Sequence, residues 1–123
     1  MVLRYNSTMA FNAAETKKIE ATMSAWIERE RPPLHIREQL DLGFRIVNQS
    51  VDIFETRPHW ENATEKTITP VARATYVRAR DHWRILWMRA DAKLHRYEAL
   101  PEVASLDAFL KVVKDDKHGC FFG

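Results

Sequence analysis

Trp83-Arg84-Ile85-Leu86-Trp87-Met88-Arg89-Ala90-Asp91-Ala92-Lys93-Leu94-His95-Arg96-Tyr97 is the stretch on which the reading of this chain turns. Aromatic, charged and titratable residues alternate there more densely than anywhere else. Strand side chains alternate between faces with period two. Run as one extended segment, the stretch therefore puts Trp83, Ile85, Trp87, Arg89, Asp91, Lys93, His95 and Tyr97 on a single face, which begins apolar and ends as a polar row.

The segment before it, Pro70–Arg80, also reads as a strand. A two-residue turn at Asp81-His82 would pair Arg80 with Trp83, Arg78 with Ile85, Tyr76 with Trp87 and Ala74 with Arg89. On the opposite face Val77 would meet Leu86, and Thr75 would meet Met88. Both faces are then partly apolar, so helices can cover one and the other needs a second cover. The short second helix, the His59–Thr69 loop or another subunit could supply it, and a homodimer is the preferred use.

Further upstream, Phe44–Val47, a turn at Asn48-Gln49-Ser50 and Val51–Thr56 predict a hairpin closed by Arg57-Pro58. A polar loop with Trp60 follows, over His59–Thr69. Asn12 with Glu15 reads as an N-cap and its capping-box partner. Ile19, Met23, Trp26 and Ile27 then form one helical stripe, ended by Pro32-Pro33. A short helix is expected over Leu34–Leu40, with Gly43 as its left-handed stop.

Downstream, Asp91–Lys93 is a bulge or a turn into a fifth short strand, Leu94–Ala99, and Pro101 closes the sheet. Ser105 caps a last helix whose Leu106, Phe109, Leu110 and Val113 give the i, i+3, i+4, i+7 pattern. Asp115-Asp116 reads as its solvated end. The fold class is therefore α+β: N-terminal helices, a four- to five-stranded antiparallel meander sheet and a C-terminal helix packed on the sheet. Residues 1–123 form one domain, with 1–11 a loose arm.

Composition narrows the function classes. Apolar residues make up 46% and charged residues 29% of the 123-residue chain, ordinary values for a folded domain. Net charge is +2, unevenly spread. Between Val71 and Tyr97, Arg73, Arg78, Arg80, Arg84, Arg89, Lys93 and Arg96 face only Asp81 and Asp91. Cys120 is the only cysteine, so no internal disulfide forms. Met1–Ala10 lacks the apolar core of a signal peptide, and no apolar run is long enough to span a membrane. A cytoplasmic protein without membrane attachment is the expectation.

These elements together resemble a bacterial family catalogued only as domain of unknown function 3024. The resemblance rests on Arg31-Pro32-Pro33, Glu55-Thr56-Arg57-Pro58, Trp83 with Trp87, Arg89-x-Asp91-x-Lys93-x-His95-x-Tyr97, and Asp116-x-x-Gly119-Cys120-Phe121-x-Gly123. They run in the family's order over most of the chain from Arg31 onward. The family pattern carries an aromatic at the positions of Leu94 and Phe122; Leu94 departs from it and Phe122 suits it. The resemblance supports the architecture and brings no activity, cofactor or catalytic residue.

Three function classes remain. The first is a non-enzymatic interaction or accessory module that self-associates, with Arg89–Asp91–Lys93 an ion-pair ladder on an exposed strand. The second is a nucleic-acid-binding sheet, in which the binding residues come from Arg78, Arg80, Arg84, Arg89, Lys93, His95, Tyr97 and Trp87. Arginines contact phosphates there, while Tyr76, Trp83 or Trp87 stack on bases. The third is a metal-dependent nuclease. Asp91-x-Lys93 would place a metal-ligating carboxylate beside a charge-stabilising lysine, with Asp81 or Glu55 as the further acid. No metal site or cofactor is expected otherwise, because His82, His95, His118 and Cys120 lack zinc-ligand spacing. Three glycines also cannot build a phosphate loop.

Overall fold

Asn12 starts the first helix, α1 (Ala13–Glu30): its side chain accepts from Glu15 N at 2.8 Å, and Glu15 Oε1 accepts from Asn12 N at 2.9 Å. The structure is a computed structural model that describes residues 10–123. Residues 1–9 of the arm expected over 1–11 lie outside the described residues. The buried stripe of α1 is Ile19, Met23, Trp26 and Ile27, as the spacing predicts. The helix ends where Arg31 turns extended ahead of Pro32. Arg31 then reaches across to Asp41, donating from Nε at 3.1 Å and from a terminal nitrogen at 2.5 Å.

Between these partners the expected helix over Leu34–Leu40 does not form. The segment is a run of turns, with Ile36 N bonded to Pro33 O and Gln39 N to Ile36 O. Leu34 is 77% exposed and Ile36 37%. A helix this short forms only when it buries an apolar face, and this one has nothing to bury against. Gly43 is not a left-handed stop either. It sits inside β1 (Asp41–Val47), opposite Phe54, where a Cβ would come within 2.7 Å of the Phe54 ring.

The sheet is an antiparallel meander of β1, β2 (Ser50–Pro58), β3 (Lys66–Val77), β4 (His82–Met88) and β5 (Leu94–Arg96) in chain order. A two-residue strand, β6 (Glu102–Val103), pairs with the start of β4. The α+β class and the meander agree with the sequence reading. The β3–β4 register differs. Arg78–Asp81 form the turn, so Tyr76 pairs with Trp83, Ala74 with Ile85 and Ala72 with Trp87. Asp81 adopts φ 51° and accepts the Tyr76 hydroxyl at 2.6 Å, which fixes the longer turn. The slip is an even number of residues, so each side chain keeps its expected face.

One face carries Val51, Ile53, Ala72, Ala74 and Ile85, all buried beneath α1 and the C-terminal helix α2 (Leu106–Asp115). Ala72 and Ala74 are small enough to let the helices close on the middle of the sheet. Val71 is the extra residue of a bulge, since Ile53 pairs with Ala72 and Phe54 with Pro70. Pro70, which has no N–H, is tolerated there.

Ser105 caps α2, accepting from Ala108 N. The far end is not a solvated acidic tip. Asp116 takes a left-handed conformation (φ 41°), and its two carboxylate oxygens accept from Phe121 N at 3.0 Å and Phe122 N at 2.8 Å. Gly119, at φ 65°, donates to Asp116 O. This folds the tail back and buries Phe121 against Tyr97, with ring centroids 4.9 Å apart. Among the described residues no helix is long and apolar enough to cross a membrane.

Two outcomes are expected. Asp116→Ala removes two acceptors at once and lowers unfolding free energy by about 1–3 kcal/mol in urea titrations, while Asp116→Asn, which tolerates the left-handed turn, loses less. The Arg31 hydrogen bond holds the Asp41 carboxyl below its ordinary range. A depressed native pKa means that the unfolded chain binds protons first. The stabilisation from Asp41 is therefore present above pH ~4 and fades as pH falls toward the native pKa. The urea midpoint of Asp41→Asn should accordingly fall less between pH 6 and pH 3 than that of the wild type.

Candidate functional site

The sheet face away from the helices is built from the alternate residues of each strand. Its central row crosses five strands, as Arg45 pairs with Asp52, Asp52 with Arg73, Arg73 with Leu86, and Leu86 with Arg96. The neighbouring row runs Val47, Ser50, Thr75, Arg84 and Glu102. Opposed side chains lie roughly 4.5–5.5 Å apart at Cβ, so each row is a line of touching neighbours.

Asp52 is the centre of the first row and is 1% exposed. Arg73 grips it with two parallel bonds, Nε to Oδ1 at 2.5 Å and a terminal nitrogen to Oδ2 at 2.9 Å. Arg45 Nε adds a third at 3.2 Å and lays its guanidinium over the Phe54 ring at 5.9 Å. Both oxygens of Asp52 are thus filled by cations on either side, which is how a carboxylate survives burial. The cluster keeps a net positive charge, and the remaining guanidinium N–H donors have no carboxylate to meet. Arg84 and Arg96 make no ion pair among the described residues, and with Arg80, Pro101 and Glu102 they line a groove of about 270 Å³.

The other candidates are scattered. The chain does not run extended through Trp83–Tyr97: it reverses at Arg89–Lys93, where Ala92 takes φ 62° and Arg89 N bonds to Lys93 O at 3.0 Å. His95 consequently lies across from Trp87, and it and the core residue Tyr97 share the face of Trp83, Ile85 and Trp87 from a neighbouring strand rather than from farther along the same one. The expected ladder is absent. Asp91 accepts instead from Lys93 N at 3.0 Å and meets His95 Nε2 at 2.7 Å, and the His95 bond draws the Asp91 carboxyl below its ordinary value. Arg89 stacks on Trp87 at 5.6 Å. Tyr97 is a core residue, and its burial pushes the phenol pKa up.

The acids needed for nuclease chemistry are not gathered either. Asp81 precedes β4 and Asp91 follows its end; the seven residues of the strand between them span roughly 23 Å. Glu55 sits two strands away on β2 and pairs with Arg57. No group of three or more His, Cys, Asp or Glu among the described residues could hold a metal ion. Arg78 is tied to Glu15 at 2.8 Å and Arg80 to Glu102 at 2.5 Å, which leaves both carboxyls depressed by their guanidinium partners. Tyr76, Trp83 and Trp87 belong to the helix-covered face, so the expected stacking rings and the free arginines lie on opposite sides.

Asp52 and Arg45 are the site residues that sequence reasoning missed. The signal was available in the turn. Read as a two-residue loop, Asn48-Gln49 pairs Val47 with Ser50 and therefore Arg45 with Asp52. Asp52→Ala should lower stability by about 2–3 kcal/mol, below the ~3–5 typical of a wholly buried pair because both arginines reach solvent. Urea unfolding of Asp52→Ala beside Arg45→Met and Arg73→Met checks this, and Arg73→Met should cost more than Arg45→Met.

No curated protein and no solved structure matches this chain. A family model does, over residues 11–123. The chain belongs to the family described as Domain of unknown function (DUF3024).

Proposed function

We propose that this chain is a non-enzymatic binding module that holds the sugar–phosphate backbone of nucleic acid on its uncovered sheet face. One observation carries the reading: Arg45, Arg73, Arg84 and Arg96 share that face with Asp52, four positive charges less one, or +3. Arg80 and Glu102 at the rim cancel. Arg45, Arg73 and Arg96 stand on alternate strands of one row, about 9.6 Å apart at two strand spacings. Guanidinium forks suit phosphate, and two of these four are already oriented by Asp52, so less freedom is lost on binding.

The charge also bears on self-association. An isologous dimer through this face would oppose Arg84 and Arg96 of one copy to the same patch of the other, an arrangement that like charges disfavour. Among the described residues the only carboxylate in the middle of the face, Asp52, has both oxygens occupied, which favours binding over catalysis. With the aromatic rings on the far side, contact is to backbone rather than bases, so discrimination between sequences is small. A cytoplasmic setting, where a lone Cys120 stays reduced, goes with this reading.

Anisotropy titration of a labelled duplex of mixed sequence at 50–200 mM salt tests it. Four phosphate contacts give a slope of log K on log salt of about −3.6. Arg84→Glu with Arg96→Glu should weaken binding at least ~10-fold, while Lys17→Glu with Lys18→Glu on α1 should change it little. Absence of binding at 50 mM salt, or binding indifferent to salt, would falsify the proposal.

A further inference from the structure

Two features outside the basic face are complementary to each other. The first is a ribbon. Pairing with β1 ends at Thr56 and pairing with β4 ends at Ala72, so the pairs Arg57–Thr67 and Pro58–Lys66 have no further strand beside them and project beyond the sheet, with Lys66 Nζ donating to Glu38 O at 2.8 Å. The loop at the tip is internally built. His59 N bonds to Glu65 O at 2.9 Å, Glu65 N to Asn62 O at 3.0 Å, and Asn62 Oδ1 accepts the Thr64 hydroxyl at 2.7 Å. His59 stacks on Trp60, with ring centroids 5.9 Å apart and planes 24° apart. Trp60 is nonetheless 86% exposed. An indole held outward by an ordered loop has little freedom left to lose on docking, and tryptophan is the residue most enriched at binding hot spots. The charges beside it in the loop are Glu61 and Glu65, while Arg57 and Lys66 at the base of the ribbon turn to Glu55 and to Glu38 O.

The second feature is a cavity of about 440 Å³ between α2 and the Tyr97–Val103 segment, within the ~300–1,000 Å³ range of ligand pockets. Tyr97, Val103 and Val112 supply apolar walls, and Leu100, 42% exposed, stands at the mouth. Lys111, Lys117 and His118 also line it, and the single acid there among the described residues, Asp115, is paired with Lys111 at 3.4 Å.

We infer that Trp60 of one copy docks in this cavity of a second copy, with Glu61 and Glu65 set against Lys111 and Lys117. Size, apolar lining and charge agree, an acidic loop carrying one large ring meeting an apolar pocket with a basic rim. The donor and acceptor surfaces are different parts of the chain, so the contact is heterologous and each copy can both give and receive. The sheet face is not used, and this association stands or falls separately from anion binding.

Sedimentation velocity of the full chain over a range of concentrations tests the contact. The wild type should gain mass as concentration rises. Trp60→Ala should stay monomeric over the same range, its dissociation constant raised at least ~10-fold, with an unchanged circular dichroism spectrum. So should Lys111→Glu with Lys117→Glu. Mixed together, these two defective proteins should form a 1:1 pair, since one retains the pocket and the other the ribbon. Adding Glu61→Lys and Glu65→Lys to the pocket variant should restore self-assembly. A wild type that is monomeric throughout, a Trp60→Ala protein that assembles like the wild type, or a mixture that remains monomeric would each overturn the inference.

Discussion

A carboxylate buried on a sheet face that no helix covers must be solvated by its neighbours. Asp52 meets this constraint with Arg45 and Arg73, one from each adjoining strand. The three side chains can meet only if β1, β2 and β3 keep their present register. A one-residue slip of β2 would drive Asp52 under the helices and expel Val51 and Ile53, exchanging a satisfied charge for an orphaned one and a buried core for a wet one. The polar row and the apolar core are thus two sides of one pairing decision.

Elsewhere the chain uses side chains to bind its own backbone, or each other, where elements meet. Arg31 and Asp41 bracket the Pro32–Leu40 connection, so a segment without a helix is still anchored at both ends. Glu30 and Lys114 tie the last turn of α1 to α2. Asp116 gathers two tail N–H groups and lets Phe121 reach Tyr97. Groups that could otherwise be taken for catalytic acids spend their lone pairs on architecture.

Much of this was legible beforehand, for physical reasons that differ by element. Asn12, Glu15 and Ser105 identify helix starts because capping is a local event, and the stripes of both helices follow from a fixed period. Strand faces were legible too, since alternation survives an even error in register. What failed depended on long-range geometry. Leu34 and Ile36 have helical spacing but no surface to cover. The alternation from Arg89 to Tyr97 is real in sequence, yet a left-handed Ala92 reverses the chain beneath it. Gly43 looked like a terminator because its true cause, the Phe54 ring across the strand pair, lies eleven residues on. At the site, Arg73, Arg84 and Arg96 were visible within a basic cluster, whereas Arg45 and the carboxylate that it shares with Arg73 were hidden by a one-residue difference in turn length.

The partner of β4 on its outer side is split. β5 pairs with its end, β6 with its beginning, and Tyr97–Pro101 loops between them. That border of the sheet therefore offers no long run of unpaired N–H and C=O groups. The opposite border is β1, whose seven residues are unbroken. An added strand from any source has a continuous template on that side. Among the described residues β1 is thus an edge open to growth, and the charged side chains it carries are Asp41 and Arg45.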